Sequence, residues 1–132
     1  MATHATGEFE LKSWDEEPYD EIEGGGKLTR AVVTQGFTGD IEGDGAVQWL
    51  MCYRPDGTAD FVGLQRVTGR VGGRSGSFVL QNTGTFDGKQ ATGPWSVVPG
   101  SATGELRGLS GQGEFGAPHG PKASYTLDYD LG

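Results

Sequence analysis

Residues 104–131 decide the fold, and they read Gly-Glu-Leu-Arg-Gly-Leu-Ser-Gly-Gln-Gly-Glu-Phe-Gly-Ala-Pro-His-Gly-Pro-Lys-Ala-Ser-Tyr-Thr-Leu-Asp-Tyr-Asp-Leu. The first half of this stretch contains three closely spaced glycines, Gly108, Gly111 and Gly113. A Pro-His-Gly turn separates it from a last segment in which apolar and polar residues alternate. Glycines inside strands mark bends, bulges or close approaches between backbones. The stretch therefore predicts two antiparallel strands that bend tightly, as the strands of a β-barrel do.

The composition of the whole chain supports an all-β fold. Glycine accounts for 25 of the 132 residues, well above the usual ~7%. The glycines follow no three-residue period, and they lie between segments in which apolar and polar residues alternate. This pattern is typical of strands joined by tight turns rather than of collagen or a disordered chain. The length is that of one domain, which we expect to cover residues 1–132.

Alternation of apolar and polar residues predicts further strands before that pair. They cover residues 7–14, 28–38, 46–53, 58–71, 75–86 and 91–98. Turn sequences such as Arg54-Pro55-Asp56-Gly57 join them in antiparallel order, whereas the acidic segment 15–26 is expected to form a long loop. The predicted fold is an all-β, antiparallel, closed or nearly closed barrel of about eight strands, with little or no helix.

The charge of the chain excludes several classes of partner. Ten Lys and Arg against eighteen Asp and Glu give a net charge of −8, which repels nucleic acid and anionic membrane surfaces. The first residues lack the basic and apolar regions of a signal peptide. The single cysteine, Cys52, cannot form an intrachain disulfide, which fits a reducing compartment. We therefore expect a cytoplasmic protein that binds neither nucleic acid nor membranes.

The segment 46–53, Ala-Val-Gln-Trp-Leu-Met-Cys-Tyr, is apolar at nearly every position. Both faces of such a strand need cover, because an apolar outer face would otherwise meet water. A second subunit is the simplest cover, and the segment therefore predicts a homo-oligomer.

A barrel of this size has room for packed side chains or for one small ligand. Aromatic and amide side chains on its strands are the natural lining, since Tyr, Trp, Asn and Gln each orient a bound molecule through a polar tip. The predicted partner is a small hydrophobic or amphipathic molecule, with plain core packing as the alternative for the aromatics. The predicted ligand-binding residues are Gln65, Asn82, Trp49, Tyr53, Trp95 and Tyr125.

Catalysis would need an ionisable side chain inside the barrel. Glu10 and Asp60 lie on predicted strands, and a carboxyl group that faced the interior would have a raised pKa and could act as a base. His119 lies in the turn at 118–120, where an imidazole could shuttle protons. Surface placement is the alternative for all three. Two histidines and one cysteine are too few ligands for a structural zinc site, so the sequence predicts no metal and no cofactor.

Several short segments carry a family resemblance: Ser13-Trp14-Asp15-Glu16, Lys27-Leu28-Thr29-Arg30, Pro118-His119-Gly120 and the residues 37–43, 53–59, 73–81 and 98–101. Together they resemble a family of small bacterial proteins of unknown function with an allene-oxide-cyclase-like barrel. The glycine run 108–120 also looks like the signature of allene oxide cyclase and, more distantly, of dirigent-type barrels. The resemblance covers essentially the full chain, and it implies the fold and oligomerisation but no common activity.

The resemblance also bears on Gln65 and Asn82. Relatives commonly carry an acidic residue at the first position and often a histidine at the second, whereas both residues here are amides. Amides orient a ligand but do not transfer protons. Three hypotheses follow: an enzyme of the isomerase or cyclase type with an ionisable group in the interior, a non-catalytic carrier lined by aromatics and amides, and a structural barrel with a filled core.

Overall fold

The protein is described by a computed structural model that covers residues 2–118 and 122–131. Eight strands follow one another in chain order, each antiparallel to the next, and β8 pairs with β1 to close a barrel. They are β1 (Thr3–Ile22), β2 (Gly26–Gly39), β3 (Ile41–Tyr53), β4 (Ala59–Val71), β5 (Arg74–Phe86), β6 (Gln90–Val97), β7 (Ser110–Pro118) and β8 (Lys122–Asp130). The predicted fold class is confirmed.

The segment 104–131 holds the two predicted closing strands, β7 and β8, preceded by a short 3-10 turn at Gly104–Leu106. Leu106 of that turn is fully buried, and the backbone N–H of Thr103 donates to the carbonyl of Ser77 on β5. The turn thereby covers one end of the barrel. His119 lies in the segment 119–121, outside the described residues. No helix among the described residues has the length and apolar character needed to cross a membrane.

The first strand is much longer than the sequence predicted, because the acidic segment expected to be a loop continues as strand up to Ile22. Two of its carboxylates lie opposite basic residues of β2, with Glu17 facing Arg30 and Glu21 facing Lys27. Neither pair is close enough for an ion pair among the described residues, so the strand rests on its backbone pairing with β2. Within the described residues β1 pairs with β8 as far as Glu10, and the second half of β1 forms an arm with β2.

Aromatic rings fill the barrel from one end towards the other. Trp49 contacts Phe61 with 5.6 Å between ring centroids, Phe61 contacts Phe115 at 6.2 Å, and Phe115 contacts Trp95 at 5.5 Å. Trp95 in turn contacts three further buried rings, those of Phe9, Phe37 and Tyr125. Tilted rings at these distances attract one another beyond the area they bury. The interior is thus mostly a packed aromatic core.

Two glycines make room for the largest interior side chains. A Cβ atom built at Gly63 would lie 2.2 Å from Cδ1 of Trp49, and one at Gly7 would lie 2.4 Å from the hydroxyl of Tyr125. Gly63 stands directly opposite Trp49 in the β3–β4 pairing, and Gly7 stands opposite Tyr125 in the β1–β8 pairing. Each bulky side chain therefore lies over a neighbouring strand that has no side chain at the crossing point.

We predict that Gly63→Ala destabilises the barrel by about 1–3 kcal/mol, because the added methyl group must displace the indole of Trp49. Gly116→Ala is the matched control, since its Cβ would meet no atom closer than 3.9 Å and its φ is not positive. The control should be neutral or slightly stabilising. Unfolding in urea, followed by circular dichroism, measures both variants, and equal midpoints would contradict the account of Gly63.

Candidate functional site

A chain of four neutral side chains crosses the interior of the barrel. The indole Nε1 of Trp49 donates to Oδ1 of Asn82 at 2.6 Å, and Nδ2 of Asn82 donates to Oε1 of Gln65 at 3.3 Å. Nε2 of Gln65 in turn donates to Oε1 of Gln35. Asn82, Gln65 and Gln35 are each 1% exposed. The structure therefore brings three of the predicted ligand-binding residues, Trp49, Asn82 and Gln65, into one network.

The orientation of every amide in this chain follows from Trp49. An indole nitrogen can only donate, so Asn82 must present its oxygen to Trp49 and its nitrogen to Gln65. The same reasoning then turns the oxygen of Gln65 towards Asn82 and the oxygen of Gln35 towards Gln65. The chain ends on Nε2 of Gln35, a buried donor without an acceptor among the described residues. Trp49 is thus the residue that fixes the polar interior.

An apolar pocket of about 60 Å³ lies at the end of the barrel where Trp49 ends the aromatic core. We call it the mouth pocket. Its lining combines rings, aliphatic side chains and one lysine: Phe9, Leu11, Trp14, Trp49, Met51, Phe61, Ala91, Phe115, Ala117, Lys122 and Ala123. It is smaller than the ~300–1,000 Å³ usual for drug-sized ligands and larger than the ~30 Å³ that one water occupies in the liquid. As it stands, the pocket fits a molecule of a few heavy atoms.

Trp14 forms the outer wall of the mouth pocket from the β1 arm. Its ring centroid is 5.6 Å from that of Trp49, and its Nε1 donates to Oε1 of Glu16 at 3.1 Å. Trp14 nevertheless remains 45% exposed. It is thus held by one stacking contact and one surface hydrogen bond, whereas the other rings of the pocket, Phe9, Trp49, Phe61 and Phe115, are buried.

Glu16 holds the rim of the mouth together. Its Oε2 accepts hydrogen bonds from the hydroxyl of Thr29 at 2.6 Å and from that of Tyr53 at 2.9 Å, while Oε1 accepts from Trp14. Burial, then the hydrogen bond to Glu16 and its charge, raise the pKa of Tyr53 to about 12. Tyr53, a predicted ligand-binding residue, therefore lies beside the mouth as a support of the arm and does not line the pocket.

The other two predicted ligand-binding residues lie in the packed core. Nε1 of Trp95 donates to the carbonyl of Thr126 at 2.9 Å. The hydroxyl of Tyr125 accepts from the N–H of Ile41 at 2.9 Å and donates to the carbonyl of Thr38 at 2.8 Å. Both polar tips are therefore engaged by backbone groups. Burial raises the pKa of Tyr125 to about 12.

The predicted catalytic carboxylates lie outside the interior. Glu10 is an exposed residue of β1. Asp60 is exposed on β4 and forms an ion pair with Nη1 of Arg54 at 3.1 Å. Strand alternation explains both positions, because each carboxylate directly neighbours an inward-facing residue, Phe9 or Phe61, and so points the opposite way. His119 falls outside the described residues, and its role stays a prediction.

Several residues of the site were not singled out from the sequence. Glu16 escaped because the acidic segment 15–26 was expected to be a loop. Trp14, at the end of the predicted strand 7–14, and Met51, on the apolar segment 46–53, carry no signal in the sequence that separates a pocket residue from other apolar strand residues. Gln35 had a readable signal, an amide at an inward position of the alternating segment 28–38. Among residues 2–118 and 122–131, no group of three or more His, Cys, Asp or Glu is arranged to hold a metal ion.

These features define the chain as a small closed β-barrel with an apolar pocket at its mouth and, among the described residues, no buried charged side chain. Residues 5–129 match the family described as protein of unknown function (DUF3224), and the chain belongs to that family. It is also similar to a crystal structure of a protein with unknown function from the same family, from Shewanella oneidensis MR-1. The two share 30% sequence identity over 98% of each chain, with a TM-score of 0.80. No curated protein matches the chain.

We predict that Trp49→Phe lowers the free energy of unfolding by about 1–3 kcal/mol, because Oδ1 of Asn82 loses the hydrogen bond from the indole and stays buried. Trp14→Phe is the control, since the hydrogen bond that it loses is exposed to solvent. A double-mutant cycle with Asn82→Leu separates the hydrogen bond from the lost ring volume. Additive effects in that cycle would contradict the role of the Trp49–Asn82 bond.

The two raised tyrosine pKa values predict a dependence of stability on alkaline pH. Each phenol holds its proton more tightly when folded, so its contribution is complete below the ordinary pKa near 10 and is lost as the pH rises through about 12. Absorbance at 295 nm should show Tyr53 and Tyr125 ionising only well above pH 10. The Tyr53→Phe and Tyr125→Phe variants assign these late transitions, and ionisation of either residue near pH 10 would refute the assignment.

Proposed function

We propose that this protein binds a small apolar molecule in the mouth pocket and acts as a non-catalytic carrier or sensor. The observation that carries the proposal is the pocket itself, an apolar space of about 60 Å³ beside Trp49, where the aromatic core ends. Methyl groups and ring faces line it, and they offer a ligand dispersion contacts and release from water.

The chemistry of the interior favours binding over catalysis. The buried polar residues of the described chain are Thr29, Gln35, Gln65, Ser77 and Asn82, and none of them titrates near neutral pH. The half-buried carboxylate of Glu16 already accepts hydrogen bonds from three side chains. A carrier needs shape and an apolar wall, whereas an isomerase or cyclase that moves protons needs a base held against the ligand. The ionisable residue in the lining of the mouth pocket is Lys122, which is exposed to solvent rather than enclosed with the ligand.

Trp14 sets the size of the ligand. With its indole against Trp49, the pocket admits only a few heavy atoms, and rotation of the indole outwards would open the space that the ring now fills. Outward rotation of Trp14 would break one ring contact and one exposed hydrogen bond. Among the rings of the pocket, Trp14 is therefore the one that is displaced at the lowest cost. We infer that ligands with a ring or a short chain enter at Trp14 and that this residue closes over them.

Two features of the sequence agree with this proposal. The glycine run 108–120 resembles that of allene oxide cyclase and dirigent-type barrels, which supports an apolar ligand in the barrel interior. The single cysteine and the absence of a disulfide partner support a carrier in the cytoplasm.

Methyl-resolved NMR of the intact protein, titrated with benzene and then with indole, tests the proposal. The expected result is a saturable shift of the methyl signals of Met51, Ala91, Ala117 and Ala123, which line the pocket. Trp14→Ala should bind indole at least tenfold more tightly than wild type, because indole refills the space of the deleted ring.

Tyr19→Ala is the matched control, since it removes an exposed aromatic residue from the same arm without touching the pocket. It should bind both probes as wild type does. The proposal fails if neither probe shifts these methyl groups in wild type or in Trp14→Ala, and that result would favour a structural barrel with a filled core.

A further inference from the structure

The outer face of the barrel carries an apolar patch on β2, β3 and β4. Large hydrophobic side chains point to solvent there: Val32 is 41% exposed, Leu50 47%, Val62 51% and Leu64 59%. The strand pairing makes them neighbours, because Val32 faces Gln48, Gln48 faces Leu64, and Leu50 faces Val62. We call these five residues, together with Ala46, the outer patch. They line a groove of about 930 Å³.

We propose that the outer patch binds a second copy of this chain to form a symmetric dimer. The proposal names the surface that would cover the outer side of the apolar segment 46–53. It is independent of the mouth pocket, because the outer patch faces away from the interior and shares no residue with that pocket.

The distribution of charge on the chain favours a second copy at the outer patch. The chain has a net charge of −8, so two copies repel one another unless they meet where carboxylates are missing. The outward positions of β2 to β5 around Gln48 are such a region: they carry neutral residues and two cations, Arg30 and Arg66. Neither arginine has an ion pair among the described residues.

The rim of the outer patch is self-complementary. On the β1 side, Asp15 lies opposite Val32 and Glu17 lies opposite Arg30, whereas on the β4 side Arg66 lies opposite Ala46. A twofold axis that runs along the strands brings the β1 side of one copy towards the β4 side of the other. The acidic edge of each copy then approaches Arg66 of its partner, twice in one interface.

The size of the outer patch sets the expected strength of the dimer. Three rows of residues about 6.8 Å apart on three strands about 4.8 Å apart cover roughly 300 Å². A standard interface buries about 800 Å² on each partner. The outer patch is therefore the apolar centre of a small interface, and the charged rim supplies the remaining buried area. We expect a dissociation constant in the micromolar range.

Sedimentation velocity of the full chain, from about 1 μM to 500 μM, tests the dimer. The mass of wild type should rise from that of one chain towards that of two, whereas Leu64→Glu should remain a monomer at least tenfold beyond the wild-type dissociation constant. Ser124→Glu places the same charge on an exposed position of β8, on the opposite side of the barrel. It should dimerise as wild type does.

A second measurement uses Cys52, the single cysteine, which is half-buried on β3 beside Leu50. A spin label on wild-type Cys52 should report a distance between subunits below roughly 30 Å, because packed sheets lie about 10 Å apart. A wild type that stays monomeric throughout the range, a Leu64→Glu variant that dimerises as wild type does, or a dimer with only longer label distances would each overturn the proposal.

Discussion

The hydrogen bond from the indole of Trp49 to the side-chain oxygen of Asn82 is the constraint on which the interior of this barrel depends. A buried Trp contributes a large apolar surface, but its N–H must find an acceptor. In this barrel the acceptor is the side-chain amide of Asn82. Its NH2 group donates to Gln65, and the NH2 group of Gln65 donates to Gln35, so two further amides are part of the same arrangement. It also requires a glycine, Gly63, at the position where the ring crosses β4. One aromatic residue thus determines four other positions on three strands.

This constraint has a consequence for what the protein can do. The polar groups of the interior are neutral, and most of them are engaged with one another rather than directed at a free space. On one side Trp49 contacts Phe61, the next ring of the core, and on the other the mouth pocket begins. Trp49 is therefore the floor of the pocket as well as the anchor of the amide chain. The outer wall is Trp14, the half-exposed ring on the arm of β1.

Much of the fold was predictable because strand alternation is a local signal. The predicted strands 28–38, 58–71 and 75–86 end within one or two residues of the strands in the structure. The apolar segment 46–53 has Leu50 and Cys52 on its outer side. The β1 arm was missed because its acidic residues were taken for a loop, whereas they continue the backbone pairing with β2, and the local sequence does not reveal that pairing.

The candidate site was only partly predictable. Gln65, Asn82 and Trp49 were predicted as ligand-binding residues and lie together in the interior, whereas Trp95 and Tyr125 look the same in the sequence and belong to the packed core. Which aromatic ring borders a pocket depends on where the packing stops, and that is a property of all eight strands together. Glu16 could not be found while its segment was taken for a loop, and Trp14 stood at the end of the predicted strand 7–14 with no sign that it borders a pocket.

Hydrogen exchange of the Trp49 indole proton, followed by NMR, is the most direct test of the central constraint. If this proton is locked between Trp49 and Asn82 in a dry core, it should exchange only through global unfolding, with a protection equal to the free energy of unfolding measured in denaturant. The exposed indole proton of Trp14 provides the fast reference in the same spectrum. Exchange of the Trp49 proton at a rate close to that of Trp14 would contradict the account.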